Sequence, residues 1–328
     1  MDSKARITAI GTYVPEKILT NFDLEKIVET SDEWIVQRSG IKERRIAEET
    51  EHTSDLSYKA VQDLIERYGK DLEDVDLIIV STITPDYRTP SVASNLQARL
   101  GIRNTGAIDV NAACAGFTYG LHLANGLITS GLHKKVLVIG AETLSKITDF
   151  TDRTTCVLFG DGAGAVLVEY DEKKPSFLSA HLSSEGEGGQ HLYCSSLSTQ
   201  LNGLEIKNND FIVQNGREVY KWAVKTVPKG MNTLLEKKSF QLRDVDWFIP
   251  HSANLRMIES ICEKSGFSIN HTLYSLTQYG NTSSATIPLA LDNGVRDQKI
   301  KHNDKILLYG FGGGLTQAGL LINWNMDM

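Results

Sequence analysis

The stretch "SDLSYKAVQDLIERYGKDLEDVDLIIVSTITP" (54–85) decides the predicted fold, because its pattern recurs later in the chain. It reads as an amphipathic helix, a polar linker and an apolar strand. The stretch "NGREVYKWAVKTVPKGMNTLLEKKSFQLRDVDWFIPHSAN" (215–254) has the same order, and its "VDWFIP" matches the "VDLIIV" of the first. A repeat of this length predicts two similar α/β units.

The parallel between the two units continues beyond these stretches. Two further segments, "CAGFTYGLHLANGLITSGLHKKVLVIGAE" (114–142) and "GNTSSATIPLALDNGVRDQKIKHNDKILLYGFGGG" (280–314), each predict a helix, a polar turn and a buried strand. We therefore predict an N-terminal half over residues 1–172 and a C-terminal half over residues 173–328, joined near the polar "YDEKKP".

The predicted strands also indicate how the halves are layered. Segments such as "LIIV", "VLVIG" and "ILLYG" are continuous apolar runs. Such runs are typical of sheets that helices cover on both faces, so we expect alternating layers of helices and sheets. The segment "SSEGEGGQHLYCSSLSTQLNGLEI" (183–206) has no counterpart in the first half, and its glycines and serines predict a surface insertion.

Composition is that of a globular protein and argues against several functions. The chain has 328 residues, 41% of them hydrophobic, and a net charge of −7, which does not favour a nucleic-acid partner. Its four cysteines are far apart without a CxxC pair, which argues against a metal site or disulfide framework and favours a reducing compartment. Because neither a signal peptide nor a membrane-spanning apolar run is evident, we predict a cytoplasmic protein without a membrane partner.

Pseudo-symmetry of the halves predicts where chemically active residues meet. The start of the helix at Cys114 corresponds to the start of the helix near Asn281, and His251 follows a predicted strand at its carboxyl end. Ligand sites of parallel α/β sheets gather at such strand ends. We therefore expect Cys114, His251 and Asn281 to meet where the two halves abut.

Such a trio suits acyl transfer through a thioester. A helix N-terminus favours negative charge, so we expect the pKa of the Cys114 thiol to be lowered. A neutral His251 and the Asn281 amide can donate hydrogen bonds to an oxygen that gains charge. The glycine run "GFGGGLT" (310–316) can bring a backbone N–H to the same point.

Each of these residues also has a simpler interpretation when taken alone. Cys114 can be a small buried packing residue, His251 a satisfied polar group, and Asn281 a helix N-cap. The run "GFGGG" can cradle a phosphate, although it lacks the spacing and the lysine of a phosphate-binding loop. The combination favours nucleophilic catalysis more than any member does.

Five motifs closely resemble those of the β-ketoacyl-acyl carrier protein synthase III family, the condensing enzymes that start bacterial fatty-acid synthesis. They are "TSDEWIVQRSGIKERRI" (30–46), "DVNAACAGFTYGL", "PHSANLRMI", "YGNTSSATIPLAL" and "GFGGGLT", in the family's order and at its spacing. The resemblance runs from about residue 5 to the last strand. It implies a thiolase fold, five αβαβα layers built from two pseudo-symmetric halves, and a homodimer.

The resemblance also implies a reaction and the residues that perform it. Cys114 would accept an acyl group from acyl-CoA, and malonyl-acyl carrier protein would then enter. His251 and Asn281 would stabilise the enolate as carbon dioxide leaves, and the amides of Cys114 and Gly313 would hold the oxyanion. The product is a 3-ketoacyl-acyl carrier protein, and no metal or redox cofactor is implied, because decarboxylation generates the carbon nucleophile.

Related enzymes and functions differ from this pattern at identifiable residues. Elongating ketosynthases resemble this fold but carry histidine where this chain has Asn281, and thiolases use a second cysteine that Cys156, Cys194 and Cys262 do not match. Plant-type polyketide synthases are longer and lack "DEWIVQRSGI". An acyltransferase of secondary metabolism with the same acyl-cysteine intermediate stays as the alternative, beside a catalytically silent binding module that the intact Cys114 argues against.

The family motifs further imply contacts with coenzyme A. Trp34 and Arg153 match the pair that stacks on the adenine from its two sides. Arg38 and Thr30 match residues near the phosphates and the base, and Asn254 matches a contact in the pantetheine tunnel.

The segment after His251 matches the carrier-protein docking motif, which comprises Ser252, Ala253, Asn254, Leu255 and Arg256. Arg256 with Lys221, and with Lys225 on the same helix, would form a basic rim that steers an acidic carrier protein. The simpler interpretation of the two lysines is a solvated helix face. The chain departs from the family at Ser252, where glutamine is usual, and at Thr89, where an aromatic residue usually closes the partner subunit's acyl pocket.

Overall fold

Fifteen strands and nine α-helices lie within residues 2–326, the part of the chain that the computed structural model describes. The strands are β1 (Ala5–Tyr13), β2 (Ile18–Thr20), β3 (Glu43–Arg45), β4 (Leu77–Ser81), β5 (Gly106–Val110), β6 (Lys135–Thr143), β7 (Asp161–Tyr170), β8 (Phe177–Ser184), β9 (Leu192–Cys194), β10 (Gln200–Leu201), β11 (Leu204–Glu205), β12 (Ile212–Gln214), β13 (Trp247–Pro250), β14 (Lys305–Gly312) and β15 (Thr316–Asn323). The α-helices are α1 (Asn21–Leu24), α2 (Asp32–Ser39), α3 (Thr53–Tyr68), α4 (Val92–Leu100), α5 (Gly116–Thr129), α6 (Gly216–Glu236), α7 (Leu255–Ser265), α8 (Leu276–Tyr279) and α9 (Thr286–Arg296).

Two principal sheets have matching strand orders. The first has the order β1-β7-β6-β4-β5 and the second the order β8-β15-β14-β13. In each sheet two parallel strands (β4 with β6, β13 with β14) are followed by an antiparallel one (β7, β15). The second sheet has a single bridge from Phe248 to Thr272 where the first has β5. The sheets therefore carry the repeat that the sequence predicts.

The five layers are an outer helix pair, the first sheet, the central helices α5 and α9, the second sheet and another outer helix pair. Three apolar cores lie between them. The central core contains Phe117 of α5 and Ile287 of α9, packed between residues of both sheets. Outside the first sheet lie α3 and α4, and outside the second lie α6 and α7, each pair with its own core. The predicted αβαβα architecture is confirmed. The continuous apolar runs in β4 and β6 are buried along their whole length, because helices cover both faces.

The predicted boundary between residues 172 and 173 falls in the connection from β7 to β8. The first sheet uses residues up to Tyr170 and the second begins at Phe177. The assignment of two domains on either side of this boundary stays a prediction.

A short 3-10 turn precedes each central helix, and the two turns are equivalent. They span Ala113–Ala115 and Ser283–Ala285. Ala113 and Ser283 both have positive φ, 45° and 49°, a conformation that costs L-residues about 1–2 kcal/mol. Asn111 and Asn281 each precede their turn, and the side-chain oxygen of each accepts the backbone N–H two residues later. The two helix starts thus correspond, as the sequence predicted, and Cys114 is equivalent to Ser284.

Each turn packs on a glycine in the opposite half. A Cβ added to Gly140 of β6 would lie 2.5 Å from the carbonyl oxygen of Ser284. A Cβ added to Gly310 of β14 would lie 2.7 Å from the Cα of Ala115. Both contacts are with backbone, which has little freedom to move away. The halves therefore meet through two reciprocal close approaches.

The predicted surface insertion lies largely on the surface and also contacts the glycine turn between β14 and β15. Many side chains of residues 195–210 are exposed, but Glu185 and Leu315 exchange two backbone hydrogen bonds of 2.8 and 3.2 Å. The carbonyl oxygen of Leu192 lies 3.3 Å from a Cβ placed on Gly313. Glu185, Gly186, Glu187 and Gln190 are exposed, in agreement with the predicted surface segment, and the same stretch also covers the glycine turn between β14 and β15.

We predict that Gly140→Ala lowers the free energy of unfolding by about 2–3 kcal/mol, because the methyl group forces the Ser284 turn away from β6. Denaturant unfolding measures the change, with Gly216→Ala as the matched control, since a Cβ on Gly216 would meet only the Gln214 side chain, at 3.7 Å, and Gly216 begins a helix. Equal stability of the two variants would contradict the close approach at Gly140.

Candidate active site

Cys114 lies at the middle of its 3-10 turn and not, as predicted, on the first turn of an α-helix. The turn continues directly into α5, and the side chain is 8% exposed. A Cβ added to Gly312 would lie 2.9 Å from the Cys114 sulfur. Glycine at position 312 therefore preserves the space beside the thiol.

The pKa of Cys114 shifts opposite to the predicted direction. Burial raises the pKa of the thiol to about 11 and outweighs the favourable groups around it. The nearby Ser283 hydroxyl and the backbone N–H groups of Cys114 and Gly313 act on this pKa in the lowering direction. The two amides that the family resemblance assigns to an oxyanion hole thus lie close to the sulfur.

His251 directly follows β13, at the carboxyl end of the strand, as predicted. Its backbone N–H donates to the carbonyl oxygen of Tyr309 at 2.8 Å, and its ring packs edge-on against Phe311 at 5.3 Å. Burial lowers the pKa of His251 to about 3, so the imidazole is neutral at physiological pH.

Thr286 contacts the His251 ring and influences which nitrogen carries the hydrogen. Its hydroxyl oxygen lies 2.8 Å from Nδ1 and 2.9 Å from the carbonyl oxygen of Ser283. The hydroxyl has one hydrogen for these two acceptors. When Thr286 donates to Nδ1, the ring hydrogen lies on Nε2, where it can be donated to a substrate.

Asn281 is buried in the seam between the halves. Its backbone bonds to the carbonyl oxygen of Leu158 and the N–H of Gly160. Its side-chain oxygen accepts the Ser283 N–H at 2.9 Å, which fixes the amide orientation. The N-cap of α9 is Ala285, so the interpretation of Asn281 as that helix's cap does not hold. Its amide NH₂ group remains chemically able to donate.

One residue, Ser283, connects the three predicted catalytic positions. Its N–H donates to the Asn281 side chain, its carbonyl oxygen lies 2.9 Å from the Thr286 hydroxyl that contacts the His251 ring, and its hydroxyl lies near Cys114. The structure therefore brings the three predicted residues together around one turn. A thiol with amides beside it, a neutral imidazole and an oriented carboxamide can stabilise charge on a thioester oxygen.

The predicted adenine pair is already in contact. The Arg153 guanidinium lies 4.4 Å from the centre of the Trp34 indole ring, and that of Arg38 lies 5.9 Å away. A base stacked between Trp34 and Arg153 needs more room than this separation leaves. Arg153 is exposed and must swing outward to admit one. The hydroxyl of Thr30 is buried without a hydrogen-bond partner.

The predicted docking motif forms the start of α7, beside α2. Asn254 caps α7 by accepting the Met257 N–H at 2.8 Å. A Cβ on Gly40, which ends α2, would lie 2.6 Å from the Leu255 Cβ, so the two helices touch there. Ser252 is fully buried and accepts the Ser275 N–H, so it supports the loop and offers no surface.

Basic side chains near α7 lie on the surface. Arg256 is exposed, whereas Ala253 and Leu255 are half-buried. Lys221 and Lys225 are exposed on α6, which packs beside α7 through a Tyr220–Ser260 hydrogen bond of 2.6 Å. Lys221 is paired with Glu218 at 2.7 Å, which reduces the local positive charge.

Sequence reasoning missed the residues that orient the trio. Ser283, Ser284 and Thr286 lie in the quoted "NTSSAT", where the run of hydroxyl residues was the available signal. Phe311 lies within the glycine run. Another residue at the seam, Glu142, was detectable as an acidic residue near the end of an otherwise apolar strand.

Metal-ligating residues do not cluster in the part of the chain described here: residues 2–326 hold no group of three or more His, Cys, Asp or Glu side chains arranged for an ion. The four cysteines are free thiols. That the reaction uses no cofactor stays a prediction.

Fold and site together define an acyl-transferring enzyme of the condensing class, with the thiolase fold. Family models of 3-oxoacyl-[acyl-carrier-protein] synthase III match residues 108–186, and those of its C-terminal domain match residues 235–324. The chain is 70% identical over 324 residues to β-ketoacyl-[acyl-carrier-protein] synthase III 2 of Halalkalibacterium halodurans, covering 99% of this chain and 98% of that protein. It is 60% identical to the Bacillus subtilis protein of that name, covering 99% and 100%.

A solved structure agrees with these relatives. The crystal structure of β-ketoacyl-[acyl carrier protein] synthase III from Thermus thermophilus superimposes with a TM-score of 0.94 at 43% identity, covering 98% of this chain and 99% of that one. The chain therefore belongs to the β-ketoacyl-acyl carrier protein synthase III family. These relatives do not favour the alternative acyltransferase of secondary metabolism.

We predict that alkylation of Cys114 by iodoacetamide in the ligand-free enzyme accelerates with pH up to about 10, without a plateau near neutrality. A raised pKa of about 11 leaves little thiolate at neutral pH, and its fraction grows as pH rises. Intact mass against time measures the rate, with Cys114→Ala as the control for other thiols. A plateau at neutral pH would contradict the effect of burial.

Proposed function

We propose that the chain catalyses the decarboxylating condensation of a short-chain acyl-CoA with malonyl-acyl carrier protein, which starts fatty-acid synthesis. The products are 3-ketoacyl-acyl carrier protein, CoA and CO₂. The observation that carries the proposal is the meeting of Cys114, His251 and Asn281 around the Ser283 turn. Cys114 by itself could only transfer an acyl group, whereas the two neutral donors, His251 and Asn281, could also stabilise the enolate form of a carbanion.

The first step transfers the acyl group to Cys114. The sulfur attacks the carbonyl carbon of acyl-CoA, and CoA leaves with a proton as its thiol. The amides of Cys114 and Gly313 lie near the sulfur and would stabilise the oxyanion of the tetrahedral intermediate. Because the thiol pKa is raised, a thiolate forms most readily while substrate occupies the site and these donors are engaged.

The second step generates the carbon nucleophile. The malonyl thioester loses CO₂, and negative charge appears on its carbonyl oxygen as an enolate. His251 is neutral, so it stabilises that oxygen by donating a hydrogen from Nε2 and keeps its own proton. The Asn281 NH₂ group is the second donor, since Ser283 already occupies its side-chain oxygen.

The third step forms the carbon–carbon bond. The enolate carbon attacks the carbonyl of acyl-Cys114, and the same two amides hold the oxyanion that forms. Collapse of the intermediate breaks the carbon–sulfur bond and returns the thiolate of Cys114, which takes up a proton from solvent, since its own proton left with CoA in the first step. Every step balances without a metal or redox cofactor, and we propose that none is used.

Substrates enter along α2 and α7, which meet at Gly40 and Leu255. We propose that Trp34 and Arg153 stack on the adenine, with Arg38 and Thr30 near the phosphates and base and Asn254 in the pantetheine tunnel. The exposed Arg256, Lys221 and Lys225 attract the acidic carrier protein.

A second copy of the chain completes the proposed assembly. Strand β5 lies at the end of its sheet, its outer edge is unpaired among residues 2–326, and Ile108 on it is 44% exposed. An apolar sheet edge of this kind invites strand pairing. Thr89 is exposed nearby in sequence and would reach the partner's acyl pocket, where its small side chain admits longer or branched primers.

The cysteine content of the chain supports a proposal for its location in the cell. No helix within residues 2–326 has the length and apolar character to cross a membrane. Free cysteines suit a reducing compartment, and we propose the cytoplasm.

We predict that the wild-type enzyme, incubated with a panel of short acyl-CoAs, gains the mass of one acyl group and that Cys114→Ala gains none. Intact-mass spectrometry measures the adduct, and the most readily loaded acyl group identifies the primer class. CoA binding by both proteins, followed by thermal shift, is the control for folding. Absence of any adduct in an enzyme that binds CoA would contradict the proposed reaction.

A further inference from the structure

A buried carboxyl group lies at the seam and has no part in the steps above. Glu142 of β6 is completely buried. One carboxyl oxygen accepts hydrogen bonds from the Thr82 hydroxyl at 3.1 Å, the Ile83 amide at 3.0 Å and the Thr84 hydroxyl at 2.8 Å. The other oxygen lies 3.1 Å from the Ser284 hydroxyl, in the opposite half.

The number of hydrogens available for hydrogen bonds in this cluster indicates whether the Glu142 carboxyl group is protonated. The Ser284 hydroxyl has one hydrogen, and the carbonyl oxygen of Ser81, at 2.9 Å, is the nearer of its two acceptors. If that hydrogen goes to Ser81, the Glu142–Ser284 contact joins two oxygens and needs a hydrogen from Glu142. A protonated Glu142 then satisfies every contact of the cluster.

The charges around Glu142 agree with a protonated group. Its hydrogen-bond partners are hydroxyls and one amide, and burial raises the pKa of Glu142 to about 7 against their opposing effect. On the adjacent strand, Asp161 directs its carboxylate to Ala47 and Ser145. From the 3-10 turn, Cys114 is the titratable group that feels its charge. A buried carboxylate without a cation is costly, so the neutral acid is favoured.

We propose that Glu142 is a neutral carboxylic acid and a positioning residue, which holds Ser284, and with it the Asn281–Ser284 turn, against the half that carries Cys114. The hydrogen-bonded chain from Glu142 through Ser284 to Ser81 crosses the seam beside Gly140. The negative charge of an ionised Glu142 would repel the Cys114 thiolate, whereas the neutral acid causes no such repulsion. The positioning role of Glu142 rests on the proposed function, whereas its protonation state does not.

Glutamine at position 142 reproduces the neutral acid. Its oxygen accepts the three donors from the β4 segment, and its nitrogen donates to Ser284. Asp161 provides the matched control, since an N–H donates to each of its oxygens: Ser145 N–H to one, Ala47 N–H to the other. In Asp161→Asn, an amide nitrogen must face one of these donors.

Thermal unfolding of the two full-length variants tests the protonation state. We expect Glu142→Gln to unfold within about 2 °C of the wild type and Asp161→Asn to lose about 5 °C or more. A loss in Glu142→Gln as large as that in Asp161→Asn would overturn the assignment of a neutral acid.

The pH profile of Cys114 alkylation tests the coupling to the nucleophile. At about pH 6 both proteins have a neutral group at position 142, so their iodoacetamide rates should agree. At about pH 8.5 the wild-type carboxyl is ionised, and we expect Glu142→Gln to react about threefold faster than the wild type. This factor corresponds to a pKa of Cys114 that is lower by about half a unit in the variant. Equal rates at both values would overturn the coupling, and this readout does not depend on condensation activity.

Discussion

The reciprocal packing of two 3-10 turns across the seam is the constraint on which the rest of the structure depends. Gly140 and Gly310 leave no room for a side chain, because backbone of the opposite turn occupies the Cβ position of each. This approach places Cys114 of one half beside Ser283 of the other. The fold thus assembles one site from two copies of the same strand–turn–helix unit, each with a non-glycine residue at positive φ.

Burial at this seam gives the site its chemistry and limits it. Exclusion of water raises the pKa of Cys114 and lowers that of His251, so both are neutral when no substrate is bound. The neutral donors His251 and Asn281 can stabilise an enolate by hydrogen bonding without protonating it, so that it remains able to attack the acyl group. The thiol is correspondingly protected from adventitious reaction until substrate engages the amides beside it.

Much of this architecture could be predicted from the sequence, because hydrophobic periodicity and the internal repeat are local signals. The helices at 53–68 and 216–236 and the strands that follow them lie where the patterns placed them. The positions of Cys114, His251 and Asn281 at one seam followed from pseudo-symmetry. The prediction for the thiol pKa was wrong, since helix position is visible in a sequence whereas the depth of burial is not.

Residues that act through a second residue escaped the sequence analysis for a related reason. Thr286 matters because its hydroxyl meets the His251 ring, and Glu142 because its oxygen meets Ser284. Both contacts join segments far apart in the chain, and neither residue type is distinctive alone. Likewise, the segment 183–206 has an ordinary loop composition, and only the fold shows that its first residues cover the glycine turn.

The central claim is that one half supplies the nucleophile and the other supplies the donors for the enolate. Separate measurement of the two half-reactions tests it most directly, with acyl loading followed by intact mass and CO₂ release followed from carboxyl-labelled malonyl-acyl carrier protein. We expect His251→Ala still to load the acyl group but to lose CO₂ release, whereas Cys114→Ala releases CO₂ but does not load. Loss of both half-reactions in each folded variant would contradict this division of labour.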